Sequence, residues 1–220
     1  MKTSWTSLIL LLAGVGAWAL EQEAGLTANE ALAKLMAGNQ RYVRHEQQHP
    51  NQSLARRKEL GKGQHPFAVI LGCADSRVSP ELLFDQGLGD LFVIRVAGNI
   101  VNDAVLGSIE YAVEHLGTKL VMVLGHEKCG AVSAAVEGGI AAGHIKAVVA
   151  AIQPSVEACR KESGDSIHNC VIANARRAAR QVRESEPLLK DAVEKHGVKV
   201  VAADYALDSG KVNLLDAARP

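Results

Sequence analysis

The sequence predicts an α/β protein: a central, mainly parallel β-sheet flanked by helices, with an N-terminal helical arm. Three observations carry that expectation. PFAVILGC at 66–73, DLFVIRVAG at 90–98, KLVMVLGH at 119–126 and VKVVAADY at 198–205 are short, continuous apolar runs rich in β-branched residues. Continuous runs, unlike alternating ones, suit strands buried on both faces. Segments of helical period separate them, the order that gives parallel strands joined by right-handed crossovers. The chain has 220 residues, 48% of them hydrophobic, which is enough for one such core. No internal repeat or linker divides it.

Taken in order, residues 1–19 have the layout of a secretory signal peptide. Lys2 gives a positive start, Leu8 to Gly16 an apolar run, and Ala17-Trp18-Ala19 a small-x-small site. The run is short of the roughly 20 residues that span a bilayer. An uncleaved membrane anchor is the competing reading. The expected mature chain is a single domain over 20–220, periplasmic or secreted, with no stable membrane insertion after cleavage. Thr27 and Glu30 form a capping-box pattern, Leu32, Leu35 and Met36 recur at helical spacing, and Gly38 is the expected stop. Residues 45–65 read as a polar loop or arm with some helix at 53–60. NDAVLGSIEYAVEHLG, between the second and third strands, has an Asn/Asp start, helical period and a terminal Gly. CGAVSAAVEGG starts another helix. Residues 144–196 read as mostly helical, interrupted at Pro187, and the basic face of NARRAARQVRES is that of a solvated helix. DSGKVNLL reads as a turn into a short last strand.

Composition excludes some functions. Lys+Arg and Asp+Glu both number 24, so formal net charge is zero, and aromatics are 4%. Nucleic-acid binding normally needs clustered cations or stacking platforms, so no nucleic acid is expected as a partner.

The chemistry concentrates where strands end. Ligands of parallel sheets sit at the carboxyl ends of the strands. Cys73 and His126 both occupy that position, and His126-x-x-Cys129 turns from a strand into a helix. Cys73, His126 and Cys129 together make a Cys2His set, a known catalytic zinc arrangement that leaves one position open. Asp75 lies two residues past Cys73, close enough to be a fourth ligand or to bond a water held there. Arg77 lies two residues further, where its guanidinium can pair with Asp75 and keep it ionised. The competing readings are a Cys73–Cys129 disulfide, two buried thiols serving only as small hydrophobes, and a surface salt bridge for Arg77.

CADSR at 73–77 with HEKC at 126–129 resembles the β-class carbonic anhydrases, whose motifs are Cys-x-Asp-x-Arg and His-x-x-Cys. RVSPELLFDQGLGDLFVIRVAGN at 77–99, GHEKCGA at 125–131 and GNQRYV at 38–43 extend the likeness, which covers roughly 27–215. The resemblance implies that fold, with one Zn2+ per subunit on Cys73, His126 and Cys129. It implies reversible hydration of CO2 to bicarbonate and a proton through a zinc-bound hydroxide. It gives Asp75 and Arg77 the role of a gating and orienting dyad. It implies that Gln64 bonds substrate from a partner subunit and that the Gly130 backbone approaches the site. It also implies a homodimer or homotetramer. Some members of that family carry a regulatory bicarbonate pocket of Trp, Arg and Tyr. Arg95 is in register here and Tyr205 is a candidate third member, but Ile70 stands at the Trp position, which argues against that regulation. Two rivals keep the site: a COS/CS2 hydrolase, and a non-catalytic zinc or bicarbonate-binding protein. Outside the motifs, Cys159 and Cys170 are either a disulfide between two helices or unrelated buried thiols. No proton shuttle stands out among the remaining His residues.

Overall fold

The computed structural model describes residues 25–139 and 142–215, so the expected signal segment at 1–19 lies outside the described residues. The elements are α1 (Ala28–Arg44), α2 (Leu54–Leu60), β1 (Ala68–Gly72), α3 (Pro80–Leu83), β2 (Leu91–Arg95), α4 (Asp103–Glu114), β3 (Leu120–His126), α5 (Gly130–Glu137), α6 (Ile145–Cys159), α7 (Ser166–Arg183), α8 (Leu188–Lys195), β4 (Lys199–Tyr205) and β5 (Val212–Leu214). A 3-10 turn spans Ala97–Asn99. The sheet runs β2-β1-β3-β4-β5. Its first four strands are mutually parallel and β5 is antiparallel to β4.

Period two divides the core into two layers. Val69, Leu71, Val121, Val123, Val200 and Ala202 point to one face, where Val105 and Ile109 of α4, Ala175, Ala178 and Val182 of α7, and Leu189 of α8 pack against them. Ile70, Leu120, Met122, Leu124, Val201 and Ala203 point to the other, against Ala31 and Leu35 of α1 and against Leu83 and Phe84. Each fully buried side chain of this kind contributes about 1.5–3 kcal/mol of transfer free energy. A third cluster joins α5, α6 and α7 beside Cys73 and Cys129.

Two local expectations change, and one open alternative is decided. β2 is half-buried rather than enclosed, because it is the sheet's edge strand and, among the described residues, no further strand pairs with its outer side. Gly38 does not end α1; the helix runs on to Arg44 and closes on His45 in the left-handed conformation. The glycine is there for close approach: a Cβ on Gly38 would lie 1.8 Å from the Phe84 carbonyl oxygen. Next to it, buried Asn39 donates to Leu83 O and Gly210 O and accepts from Val212 N, stapling α1 to the end of α3 and to the β4–β5 turn. The capping box is formed in full, Thr27 bonding the Glu30 amide and Glu30 bonding back to Thr27. Finally, Cys159 and Cys170 are joined by a disulfide between α6 and α7, while Cys73 and Cys129 are free thiols. Among the described residues, no helix is long and apolar enough to cross a membrane.

Candidate metal centre

β1 and β3 are neighbours, and their carboxyl ends set the site. Cys73 follows the last residue of β1, His126 is the last residue of β3, and Cys129 caps the start of α5. The Cys73 and Cys129 sulfurs and an imidazole nitrogen of His126 all lie within 4.8 Å of one another, and all three residues are buried.

These residues fit a zinc ion on their own chemistry. His126 Nδ1 lies 2.8 Å from the Glu127 carbonyl oxygen. A carbonyl only accepts, so Nδ1 carries the proton and Nε2 keeps its lone pair. That Nε2 is buried with no hydrogen-bond partner among the described residues, a costly state unless something else takes the lone pair. The sulfurs tell the same story. A hydrogen bond from the Cys129 thiol outweighs burial and holds the Cys73 thiol well below its usual value, with the Gly98 and Asp75 amides assisting. The Gly98 N–H reaches Cys73 Sγ at 3.3 Å. Cys129 is pushed up for the mirror reason: beside the Cys73 thiolate a second thiolate is repelled, and burial adds to it. Two thiolates and an imidazole lone pair at this range are reconciled by a cation, and Cys2His is a zinc donor set that leaves a position open.

Asp75 and Arg77 stand beside this cluster as a bidentate pair. Arg77 Nε bonds Asp75 Oδ1 at 2.9 Å and Nη2 bonds Oδ2 at 2.7 Å, while the Arg77 amide also donates to Oδ1. Nη2 further reaches the Lys128 carbonyl, tying the loop after β1 to the loop after β3. The Arg77 guanidinium, against a smaller opposing cost of burial, holds the Asp75 carboxyl well below the usual carboxylate range. Asp75 Oδ2 is 3.9 Å from His126 Nε2, so its carboxylate borders the metal position while bonded to Arg77.

The remaining site candidates are placed differently. Gln64 is exposed on the loop ahead of β1, and among the described residues the hydrogen bonds around the cluster come from other groups. Gly130 is the first residue of α5, and a Cβ there would meet nothing within 4 Å. Of the residues weighed for a regulatory pocket, Ile70 is core, and the Tyr205 hydroxyl faces that of Tyr42 at 3.5 Å. Arg95 donates instead to the carbonyls of Cys73 and Asp75, and two strands lie between its own β2 and the β4 of Tyr205. The sequence reading missed that role for Arg95, and it missed Gly98. The signal available was the place of Arg95 at the very end of β2, in register with Gly72, the residue before Cys73.

Residues 68–212 match the carbonic anhydrase family. Carbonic anhydrase 2 of Mycobacterium tuberculosis is 40% identical over 186 residues, which cover 83% of this chain and 90% of that protein. A carbonic anhydrase of Mycolicibacterium smegmatis is 39% identical over 184 residues, covering 82% and 89%. The crystal structure of the β-carbonic anhydrase CafA of Aspergillus fumigatus superposes with a TM-score of 0.69 at 28% identity, covering 87% of this chain and 92% of that one. The chain belongs to the carbonic anhydrase family, in its β class. Cys73, His126 and Cys129 form the zinc site of an enzyme that hydrates CO2.

Proposed function

We propose that this chain interconverts CO2 and bicarbonate at the Cys73–His126–Cys129 centre, with Asp75 and Arg77 as its working dyad. The observation that carries this reading is the orphaned, buried His126 Nε2 facing two free sulfurs, with a bidentate Asp75–Arg77 pair at its border. Zinc supplies Lewis-acid activation, bringing the pKa of water to about 7 in favourable sites. Everything else belongs to the chain. Cys73, His126 and Cys129 hold the ion and leave one position open. Asp75, kept ionised by Arg77, accepts a hydrogen bond from the attacking water and aims its lone pair at the carbon of CO2. Arg77 also keeps the Asp75 carboxylate from turning onto the metal and filling the open position. Gly130, with open space where a Cβ would stand, leaves room for substrate. Gln64, exposed in its own chain, is available to the site of a second subunit. The open edge of β2 and the exposed Leu82, Leu88 and Tyr111 support an assembly of at least two copies, a homodimer or homotetramer. Residues 1–19 and the Cys159–Cys170 disulfide support an exported bacterial enzyme whose mature domain is 20–220, since disulfides persist in oxidising compartments.

The test is stopped-flow CO2 hydration by the zinc-loaded chain from Leu20 onward, across about pH 6.5–9. Two thiolate ligands make the metal electron-rich, so activity is expected to rise with pH and to vanish in Cys73→Ser. Zinc-bound protein with no hydration across that range would refute the proposal, and COS and CS2 would then be assayed.

A further inference from the structure

One guanidinium in this site has no role in the scheme above. Arg95 is the last residue of β2, in register with Gly72 at the end of β1. Beyond Gly72 the β1 chain leaves the sheet, and the Val96 amide takes the last ladder carbonyl, that of Gly72. The carbonyls that follow need other donors. Arg95 provides them from one rigid fork: Nε to Cys73 O at 3.0 Å and Nη2 to Asp75 O at 2.6 Å. These two carbonyls belong to a metal ligand and to the residue beside the metal. The Asp75 carbonyl also accepts from the Val78 amide at 3.0 Å, which closes the loop into a tight turn.

Two arginines therefore divide Asp75 between them. Arg77 holds the carboxylate and Arg95 holds the backbone. Carboxylate Oδ2 lies 2.7 Å from Arg77 Nη2 and 3.9 Å from His126 Nε2. With Cα pinned, only rotation about the side-chain bonds is left to move it. With Cα free, the whole residue can slide toward the metal. Arg is suited to this work: its charge does not titrate, and its planar fork matches two acceptors at fixed spacing.

We propose that Arg95 is a positioning residue, whose two bonds to the Cys73 and Asp75 carbonyls fix the Asp75 backbone and so keep the open coordination position clear. The inference rests on the reading of Asp75 as the group that can close the site. It adds the element that limits its travel, brought from the neighbouring strand rather than from the ligand loop.

The experiment compares Arg95→Ala, Arg95→Lys and Arg77→Ala with the parent. Amide exchange at Arg77 and Val78 is followed in the zinc-free chain, and azide binding is followed by visible absorption in the cobalt-substituted protein. CO2 hydration completes the set. Arg95→Ala is expected to speed exchange at Val78, whose amide bonds the Asp75 carbonyl, and to weaken azide binding and kcat each by about tenfold or more. Metal content should stay at one per chain. Arg95→Lys, whose single ammonium nitrogen cannot reproduce the fixed Nε/Nη2 fork, is expected to fall between. Parental exchange and azide affinity in Arg95→Ala would overturn the proposal. If that variant does not fold, parental values in Arg95→Lys would do the same. Arg77→Ala separates the two ideas. If it loses azide binding while Arg95→Ala keeps it, Asp75 closes the site but Arg95 does not restrain it. If no variant loses azide binding, the closing role of Asp75 itself is wrong, and the Arg95 proposal goes with it.

Discussion

Replacing Gly38 with Ala should destabilise the protein, although helix propensity alone says the reverse. In an exposed helix interior Ala is favoured over Gly by about 0.8–1 kcal/mol. Gly38 sits in the middle of α1, where an ideal Cβ would lie 1.8 Å from the Phe84 oxygen and 2.7 Å from its carbonyl carbon. A carbon normally approaches such an oxygen to about 3.3 Å. The helix must therefore withdraw by about 1.5 Å, because the obstacle is backbone at the end of α3 and cannot rotate away. That displacement falls on the neighbouring residue, Asn39, whose bonds of 3.1 Å to Leu83 O, 2.9 Å to Gly210 O and 2.9 Å from Val212 N are all buried. Each is worth about 1 kcal/mol net, and more where a buried group is left unpaired. Three such losses less the propensity gain give about 2–4 kcal/mol of destabilisation. The assay is guanidinium unfolding followed by circular dichroism, with protein and zinc concentrations matched between variant and parent. Gly107→Ala in α4, where a Cβ meets nothing within 4 Å, should be neutral or mildly stabilising in the same experiment. A Gly38→Ala variant as stable as its parent, or more so, would refute the close-approach account.

Other expectations follow from the same geometry. Changing Cys159 and Cys170 together to Ser removes a cross-link with a sequence separation of 11 and should cost about 3 kcal/mol by loop-closure entropy; coincident unfolding curves without reductant would count against it. Cys73→Ser should abolish stoichiometric zinc, read by metal analysis after dialysis, because one of three buried donors loses its thiolate. Asp75→Asn keeps the shape but cannot pair with Arg77 as an ion, and CO2 hydration should fall by about tenfold or more; parental kcat would contradict it. Asp85 gives a pH test remote from the metal. Burial raises its carboxyl, but the Gln48 and His49 amides and the Arg41 guanidinium outweigh burial and hold it below the usual range. A lowered folded pKa means the stabilisation is fully present above the unfolded value of about 3.9 and is lost as pH falls through the folded one. The stability gap between the parent and Asp85→Asn should thus be flat from neutral pH to about 5 and shrink in stronger acid.

Much of this was legible in the sequence because it is local. Apolar runs gave the four parallel strands, Thr27 with Glu30 gave the start of α1, and the strand-end positions of Cys73 and His126 brought both to one edge of the sheet. What escaped was decided between distant segments. Gly38 looks like a helix stop until Phe84, far along the chain, is placed against it. The Gly98 amide on Cys73 Sγ is held in position partly by Asn174, which donates to Gly98 O across 76 residues of sequence. No periodicity records that pairing. Arg95 carried no pattern at all, because its partners are carbonyls, and carbonyls are the same at every residue. β2 read as enclosed because its composition is that of an interior strand; only the strand order reveals that it is an edge.

The brace on His126 has a consequence for how this site tolerates genetic variation. Its Nδ1 proton is received by the main-chain carbonyl of Glu127. When a side-chain carboxylate performs that task, one codon change deletes the acceptor and the imidazole is free to adopt the wrong tautomer. A carbonyl is present whatever residue is encoded, so no substitution at position 127 removes the acceptor itself. Damage at position 127 should instead emerge through its carboxylate, which accepts from the Leu207 amide and tethers the segment after β4. Metal binding by His126 is thereby insulated from the identity of its immediate neighbour.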